Sequence, residues 1–243
     1  MGWISSPFRL AATRNPSTLR PANSVKKADS QTDRFEFERL LWKQGLRRVA
    51  GVDEAGRGPL AGPVMAAAVI LPVAWAAEGL PPALQGLNDS KQLTREQRER
   101  FFAVLTSHPG VQSAVAHMDS DAVDHWNILE ATHRAMNLAL AQLRPPPEHA
   151  LVDGTRVKSL RFPQTPLVKG DARSYSIAAA SVVAKVTRDR LMLDYDRAWP
   201  AYGFAGHKGY GTPKHLAALA AHGPCPIHRR TFSPIRPVER DLF

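Results

Sequence analysis

The apolar positions fall into short runs whose period switches between those of strand and helix. Phe37, Leu40 and Leu41 recur at helical spacing behind Asp33, a natural cap, and Gly45 offers a stop. Continuous runs over about Arg47 to Asp53 and over Val64 to Leu71 read as strands. Residues 72–86 are dense in Pro and Gly and read as loop. The stretch Leu87 to Leu93 opens a helix capped by Thr94 or Ser90, and Val111 to Met118 reads as a third strand. A long helix is expected over Asp121 to Leu143, with Ile128, Ala131, Ala135, Leu138 and Leu143 near one face. Ala150 to Asp153 and Pro166 to Asp171 are short apolar runs that each close on an acid. A helix from Ser174 to Trp199 begins with small residues, Ile177 to Ser181, suited to close packing, and a last short helix spans Pro213 to His222. This order predicts a mixed α/β sheet with helices on its faces and a site at the strand ends.

Three of those strands end in acids: Asp53-Glu54, Asp153 and Asp171. Converging carboxylates repel one another unless cations join them. Neighbouring strand residues point to opposite faces, so Asp53 and Glu54 share a site only if the strand ends there and the chain turns at Gly56. A divalent cation such as Mg²⁺ supplies the reason for such a cluster, and the chemistry it allows is two-metal phosphoryl transfer. In the turn Gly56-Arg57-Gly58 the glycines admit a close backbone approach, and Arg57 can grip a phosphate with its forked guanidinium. The same turn fits the loose dinucleotide pattern G-x-G-x-x-A, which requires a helix directly after it; Pro63 and the run from Val64 read as strand instead.

The 243 residues suffice for one medium domain, or one domain and a small appendage, and 44% hydrophobic content supports a full core. A net charge of +10 favours a polyanionic partner, nucleic acid before an anionic membrane. The single cysteine, Cys225, excludes an intrachain disulfide and fits a reducing compartment, here expected to be the cytoplasm. No apolar run approaches the roughly 18 residues of a membrane span. His207, His215, His222, Cys225 and His228 lack the paired spacing of a closed zinc site. Trp42, Phe101, Phe102 and Trp199 are expected in the core. Residues 1–32 form a basic extension in which Arg9, Arg14, Arg20, Lys26 and Lys27 precede the first acid, Asp29. Pro7, Pro16 and Pro21 argue against an amphipathic targeting helix there.

The blocks Gly51 to Val64, Leu87 to Lys91, Val152 to Gly154, Lys169 to Asp171, Ile177 to Asp189, His207 to Thr212 and His228 to Phe232 together resemble the signatures of type 2 ribonuclease H in its bacterial form. The resemblance runs over about residues 45–235. It implies a ribonuclease H-like core over residues 33–200 and a small helical, substrate-contacting portion over 201–236, from which the extension over 1–32 and the tail over 237–243 depart. It implies a monomeric endonuclease that cuts RNA in RNA–DNA hybrids and at ribonucleotides embedded in duplex DNA, leaving 3′-hydroxyl and 5′-phosphate ends. Asp53, Glu54, Asp153 and Asp171 become the catalytic acids that bind Mg²⁺ or Mn²⁺. Gly56, Arg57 and Gly58 become readers of the ribose 2′-OH, Tyr210 the ring against the junction sugar, and Lys91, Ser181 and Lys185 phosphate contacts. Arg229 and Arg230 are placed near the substrate. A binding domain without catalysis, or a DNA nuclease of related fold, would share parts of this pattern. The final Asp241-Leu242-Phe243 resembles peptides that dock into sliding clamps, with Glu239 and Arg240 departing from that pattern.

Overall fold

The computed structural model describes Met1 and residues 33–235; the expectations for the basic extension and for Leu242 and Phe243 lie outside the described residues. In chain order the elements are α1 (Glu36–Lys43), β1 (Val49–Ala55), β2 (Val64–Ile70), α2 (Trp75–Glu78), α3 (Arg95–Ser107), β3 (Gln112–Met118), α4 (Ser120–Gln142), β4 (His149–Asp153), β5 (Gln164–Leu167), α5 (Gly170–Arg173), α6 (Tyr175–Ala198), α7 (Phe204–His207) and α8 (Pro213–His222). Short 3₁₀ turns cover Pro82–Leu84 and Pro200–Tyr202. The strands make one mixed sheet in the order β3-β2-β1-β4-β5. Strand β1 runs antiparallel to β2 and parallel to β4.

Period-2 alternation divides the sheet between two helical layers. Val49, Ala67, Val69 and Leu151 pack with α6 residues such as Ile177, Ala180 and Ala184. Ala50, Val52, Ala66, Ala68, Ala150 and Val152 pack against Ala135, Met136, Ala139 and Leu140 of α4. All seven residues of β2 are buried, as a strand covered on both faces requires. Gly51 sets the approach of α6: a Cβ there would lie 2.0 Å from the carbonyl carbon of Ser176. The start of α6 is fixed by Ser174, whose hydroxyl accepts from the Ile177 amide at 3.2 Å and donates to Glu38 at 2.6 Å. Glu38 is fully buried, and burial raises its pKa.

The structure settles or departs from the sequence reading at several points. Strand β1 continues to Ala55 because its antiparallel pairs persist through Ala55↔Met65, while its parallel pairing with β4 stops at Val52↔Val152. Asp171 does not end a strand: β5 stops at Leu167, Lys169 takes a left-handed conformation, and Asp171 lies in α5. Residues 72–86 are not loop throughout, since α2 forms there. Helix α4 is broken at Asn127 (φ 63°), whose side chain caps the restart by accepting from Leu129 and Glu130 amides at 3.0 and 3.1 Å. Thr94, rather than Ser90, caps α3, in a reciprocal capping box with Gln97.

Candidate active site

The alternation that builds the core also aims the acids. Along β1, Val49, Gly51 and Asp53 share the face under α6, and along β4 Leu151 and Asp153 share that same face. Asp53 and Asp153 therefore emerge on one side, one residue beyond the last parallel pair. Helix α5 adds Asp171 from the β5 side. One carboxylate oxygen each from Asp53, Asp153 and Asp171 lie within 4.8 Å of one another, the one group among the described residues able to hold a metal ion. Ligand oxygens on a single Mg²⁺ sit about 3–4 Å apart, given metal–oxygen distances of about 2.1 Å, so a small inward movement fits the triad to a cation.

Asp53 is 5% exposed. Burial pushes its pKa well above the usual carboxylate range, and the charges of Glu54 and Asp153 push it further. Its Oδ1 accepts from the Glu54 amide at 2.7 Å, and the Ser181 hydroxyl of α6 offsets part of the rise. Asp171 is raised by burial and then by Asp153 and Asp89. The Asp153 carboxylate accepts from the Gly170 amide at 2.6 Å, which ties β4 to α5. These environments describe a pocket that holds more negative charge than it can stabilise unaided.

Glu54 is the predicted acid that falls outside the triad. Because β1 runs on through Ala55, the pleat separates Glu54 from Asp53, and its Oε1 sits 3.4 Å from the Arg57 guanidinium. Burial raises its pKa while Arg57 lowers it.

The substrate-contact candidates do converge. Glu54, Gly56, Arg57, Gly58, Lys91, Ser181, Lys185 and Tyr210 line one cleft of about 310 Å³, joined by Ala55, Ser90 and Arg188. Tyr210, 46% exposed, faces the glycine turn: a Cβ on Gly58 would lie 3.8 Å from its ring. Lys91 loses solvation in the cleft, but Asp89, Asp53, Asp171 and Asp153 together hold its pKa above the ordinary lysine value. Two candidates are already engaged. Ser181 shares a buried 2.9 Å hydrogen bond with Ser90, and the Lys185 ammonium pairs with Asp189 at 2.7 Å.

Two arginines absent from the sequence reading, or misplaced by it, hold the cleft wall. Arg188 is 1% exposed and donates to the carbonyls of Pro63, Lys208 and Ala61 at 3.0, 3.0 and 3.1 Å. Arg229, expected near phosphate, is instead fully buried and donates to Gly62, Arg57 and Gly56 carbonyls at 3.0, 2.8 and 2.5 Å. Burial and the neighbouring Arg188 push its pKa down to about 9. Arg188 had a sequence signal, since Ile177, Ser181, Ala184, Arg188 and Met192 follow the helical period and all five are buried. Arg229 had none; its carbonyl partners lie far away in the chain. Of the residues that lacked zinc spacing, His207, His215, His228 and Cys225 pack on one another, His215 Nε2 standing 3.0 Å from His228 Nε2, while His222 is exposed.

Comparison with known proteins places this arrangement. The family profile described as Ribonuclease HII matches residues 50–235. A ribonuclease HII of Geobacter metallireducens is 52% identical over 202 residues, covering 83% of this chain and 91% of that protein. The ribonuclease H2 structure from Pyrococcus horikoshii OT3 superposes with a TM-score of 0.64 at 28% identity, covering 78% of this chain and 95% of that one. A ribonuclease HII of Archaeoglobus fulgidus, solved in complex with PCNA, superposes with a TM-score of 0.61 at 25% identity, covering 81% and 100%. With the sheet, the acid triad and the sequence match in agreement, the chain belongs to the ribonuclease HII family of hydrolytic endonucleases.

Proposed function

We propose that this enzyme cuts the RNA strand of RNA–DNA hybrids and the DNA backbone at embedded ribonucleotides, with Asp53, Asp153 and Asp171 as the metal-binding acids and Glu54 completing the set. The observation that carries the reading is the triad beside a cleft walled by the glycine turn and Tyr210. A pair of divalent ions, Mg²⁺ or Mn²⁺, bound there supplies a water of lowered pKa and a stabilised leaving oxygen. Water adds to phosphorus, the P–O3′ bond breaks, and the 3′-oxygen takes up a proton and leaves as the upstream 3′-hydroxyl while the phosphate stays on the 5′-oxygen of the downstream fragment.

The chain's own residues do the rest. Arg229 holds the Gly56 and Arg57 carbonyls of the turn and Arg188 the Pro63 carbonyl beyond it, which leaves the turn's amides free to meet a ribose 2′-OH, the group that distinguishes RNA from DNA. Tyr210 packs on the adjoining sugar, so the enzyme reads sugar rather than base. Lys91, with Arg57, meets the phosphates; Ser181 acts through Asp53 and Ser90, and Lys185 releases Asp189 to make its contact. The +10 charge supplies salt-sensitive affinity for the duplex.

We further infer that the enzyme acts as a cytoplasmic monomer and that Leu242 and Phe243 dock into a sliding clamp. The motif and the PCNA complex of the Archaeoglobus fulgidus relative support the clamp contact. Among the described residues no helix is long and apolar enough to cross a membrane. The deciding assay uses a DNA duplex carrying one ribonucleotide, with Mg²⁺ or with EDTA. Metal-dependent cleavage at the ribonucleotide, and none of the all-DNA duplex, is expected. Cleavage that survives EDTA, or equal cleavage of all-DNA duplex, overturns the reading.

A further inference from the structure

Behind Tyr210 lies a cluster of buried imidazoles that the catalytic reading leaves unused. His215 is 0% and His228 1% exposed. Their Nε2 atoms face each other at 3.0 Å. The Cys225 amide reaches His228 Nδ1 at 2.9 Å, and His215 Nδ1 reaches the Tyr210 carbonyl at 2.9 Å.

The shortest contacts assign the protons in this chain: His228 Nδ1 also lies 3.1 Å from the Cys225 Sγ and 3.3 Å from the Cys225 carbonyl, but the Cys225 amide is nearer, at 2.9 Å. A backbone amide only donates, so His228 Nδ1 accepts, and a neutral His228 carries its proton on Nε2. His215 Nε2 must then accept, which leaves the His215 proton on Nδ1, aimed at the Tyr210 carbonyl. His207, stacked on His215 with ring centroids 4.4 Å apart, obeys the same logic. Its Nδ1 accepts from the Gly209 amide at 3.2 Å, and its Nε2 donates to the Tyr202 carbonyl at 2.8 Å. Both histidines therefore grip the Lys208–Tyr210 loop from behind. A second proton on His215 would set two N–H groups against each other. Burial and the mutual proximity of the rings keep both neutral, with His228 pushed down to about 4.

We propose that His215 is a positioning residue for Tyr210: it is the last donor of a one-directional relay, Cys225 amide to His228 to His215 to the Tyr210 carbonyl, that holds the ring against the sugar. This rests on the reading of Tyr210 as the sugar contact.

The test has two arms. Long-range ¹H–¹⁵N NMR of the wild-type protein should find His207 and His228 protonated at Nε2 and His215 at Nδ1; His215 protonated at Nε2 overturns the relay. In the second arm, Tyr210→Ala, His215→Ala, His215→Asn and the Tyr210→Ala/His215→Ala double variant are assayed on a single embedded ribonucleotide and on a long hybrid. His215→Ala should lower the ratio of the two activities about tenfold, below the roughly 10²-fold that a full 1 Å misplacement can cost. His215→Asn, whose amide keeps the donor, should retain most of that ratio. The double variant should be no worse than Tyr210→Ala alone. Equal losses on both substrates for His215→Ala, or full additivity with Tyr210→Ala, overturns the inference while leaving the sugar contact intact. If Tyr210→Ala itself loses equally on both substrates, the sugar-contact reading falls first. Should His215→Ala fail to fold, His215→Asn and the tautomers of the wild type decide.

Discussion

Replacing Asp53 by Asn should separate stability from activity. Asn keeps the shape, and its Oδ1 can still accept from the Glu54 amide. What it removes is a charge buried within 4.8 Å of two other carboxylates. At an effective dielectric constant near 20, one such pair at that distance repels by about 3.5 kcal/mol when both are ionised. Asp53 escapes part of this by holding its proton, because burial and its acidic neighbours raise its pKa. The expected gain for metal-free Asp53→Asn is therefore about 1–2 kcal/mol, or roughly 2–8 °C in Tm for a chain of this size. The pH dependence follows from the same shift. A raised folded pKa means the fold binds more protons than the unfolded chain between the ordinary value of 3.8 and the raised one. Metal-free wild type should lose stability as pH climbs through that window, and Asp53→Asn should flatten the slope. Divalent metal at about 100 times its Kd should restore about 2.7 kcal/mol to the wild type and far less to the variant. Activity should fall on the order of 10³-fold, the scale of losing one preorganised electrostatic contact. Calorimetry with EDTA and with Mg²⁺, beside a cleavage assay, measures all three. A metal-free variant less stable than wild type, or one that cleaves at a near-normal rate, would refute the charge argument.

Gly56→Ala should cost both stability and activity, since Gly56 has φ +92° and a Cβ there would sit 2.1 Å from Arg188 Nε; unchanged Tm would show that the turn relaxes freely. Arg229→Lys keeps the charge but cannot reach three carbonyls, so discrimination between ribose and deoxyribose should erode with a Tm loss of several degrees; discrimination equal to wild type would assign Arg229 to folding alone. The Leu242→Ala/Phe243→Ala double variant should lose clamp binding by calorimetry at unchanged nuclease activity; no binding by the intact protein discards the contact. Deleting residues 1–32 should leave catalysis intact and lower the salt slope of duplex binding slightly, and a truncated chain that fails to fold would make the extension structural.

Much of the site was legible along the chain because each piece is local. Asp53 and Asp153 sit at the ends of apolar runs, the Gly56-Arg57-Gly58 turn announces itself by composition, and helix α6 shows its small-residue start. Periodicity alone implied a mixed sheet under two helical layers, since runs of period 2 and period 3.6 alternate. What the chain could not show is where strands part and what stands behind a loop. That β1 outlives its pairing with β4, and so sets Asp53 apart from Glu54, depends on register with β2. That Arg229 is buried behind the turn, rather than exposed to phosphate, depends on carbonyls more than 160 positions away, at Gly56, Arg57 and Gly62. The histidines of the last segment looked like a failed zinc site and became a chain of single protons, because only packing decides which ring nitrogen meets a donor. A side chain's type is written in the sequence, but the partner that settles its charge, its proton and its direction is supplied by the fold.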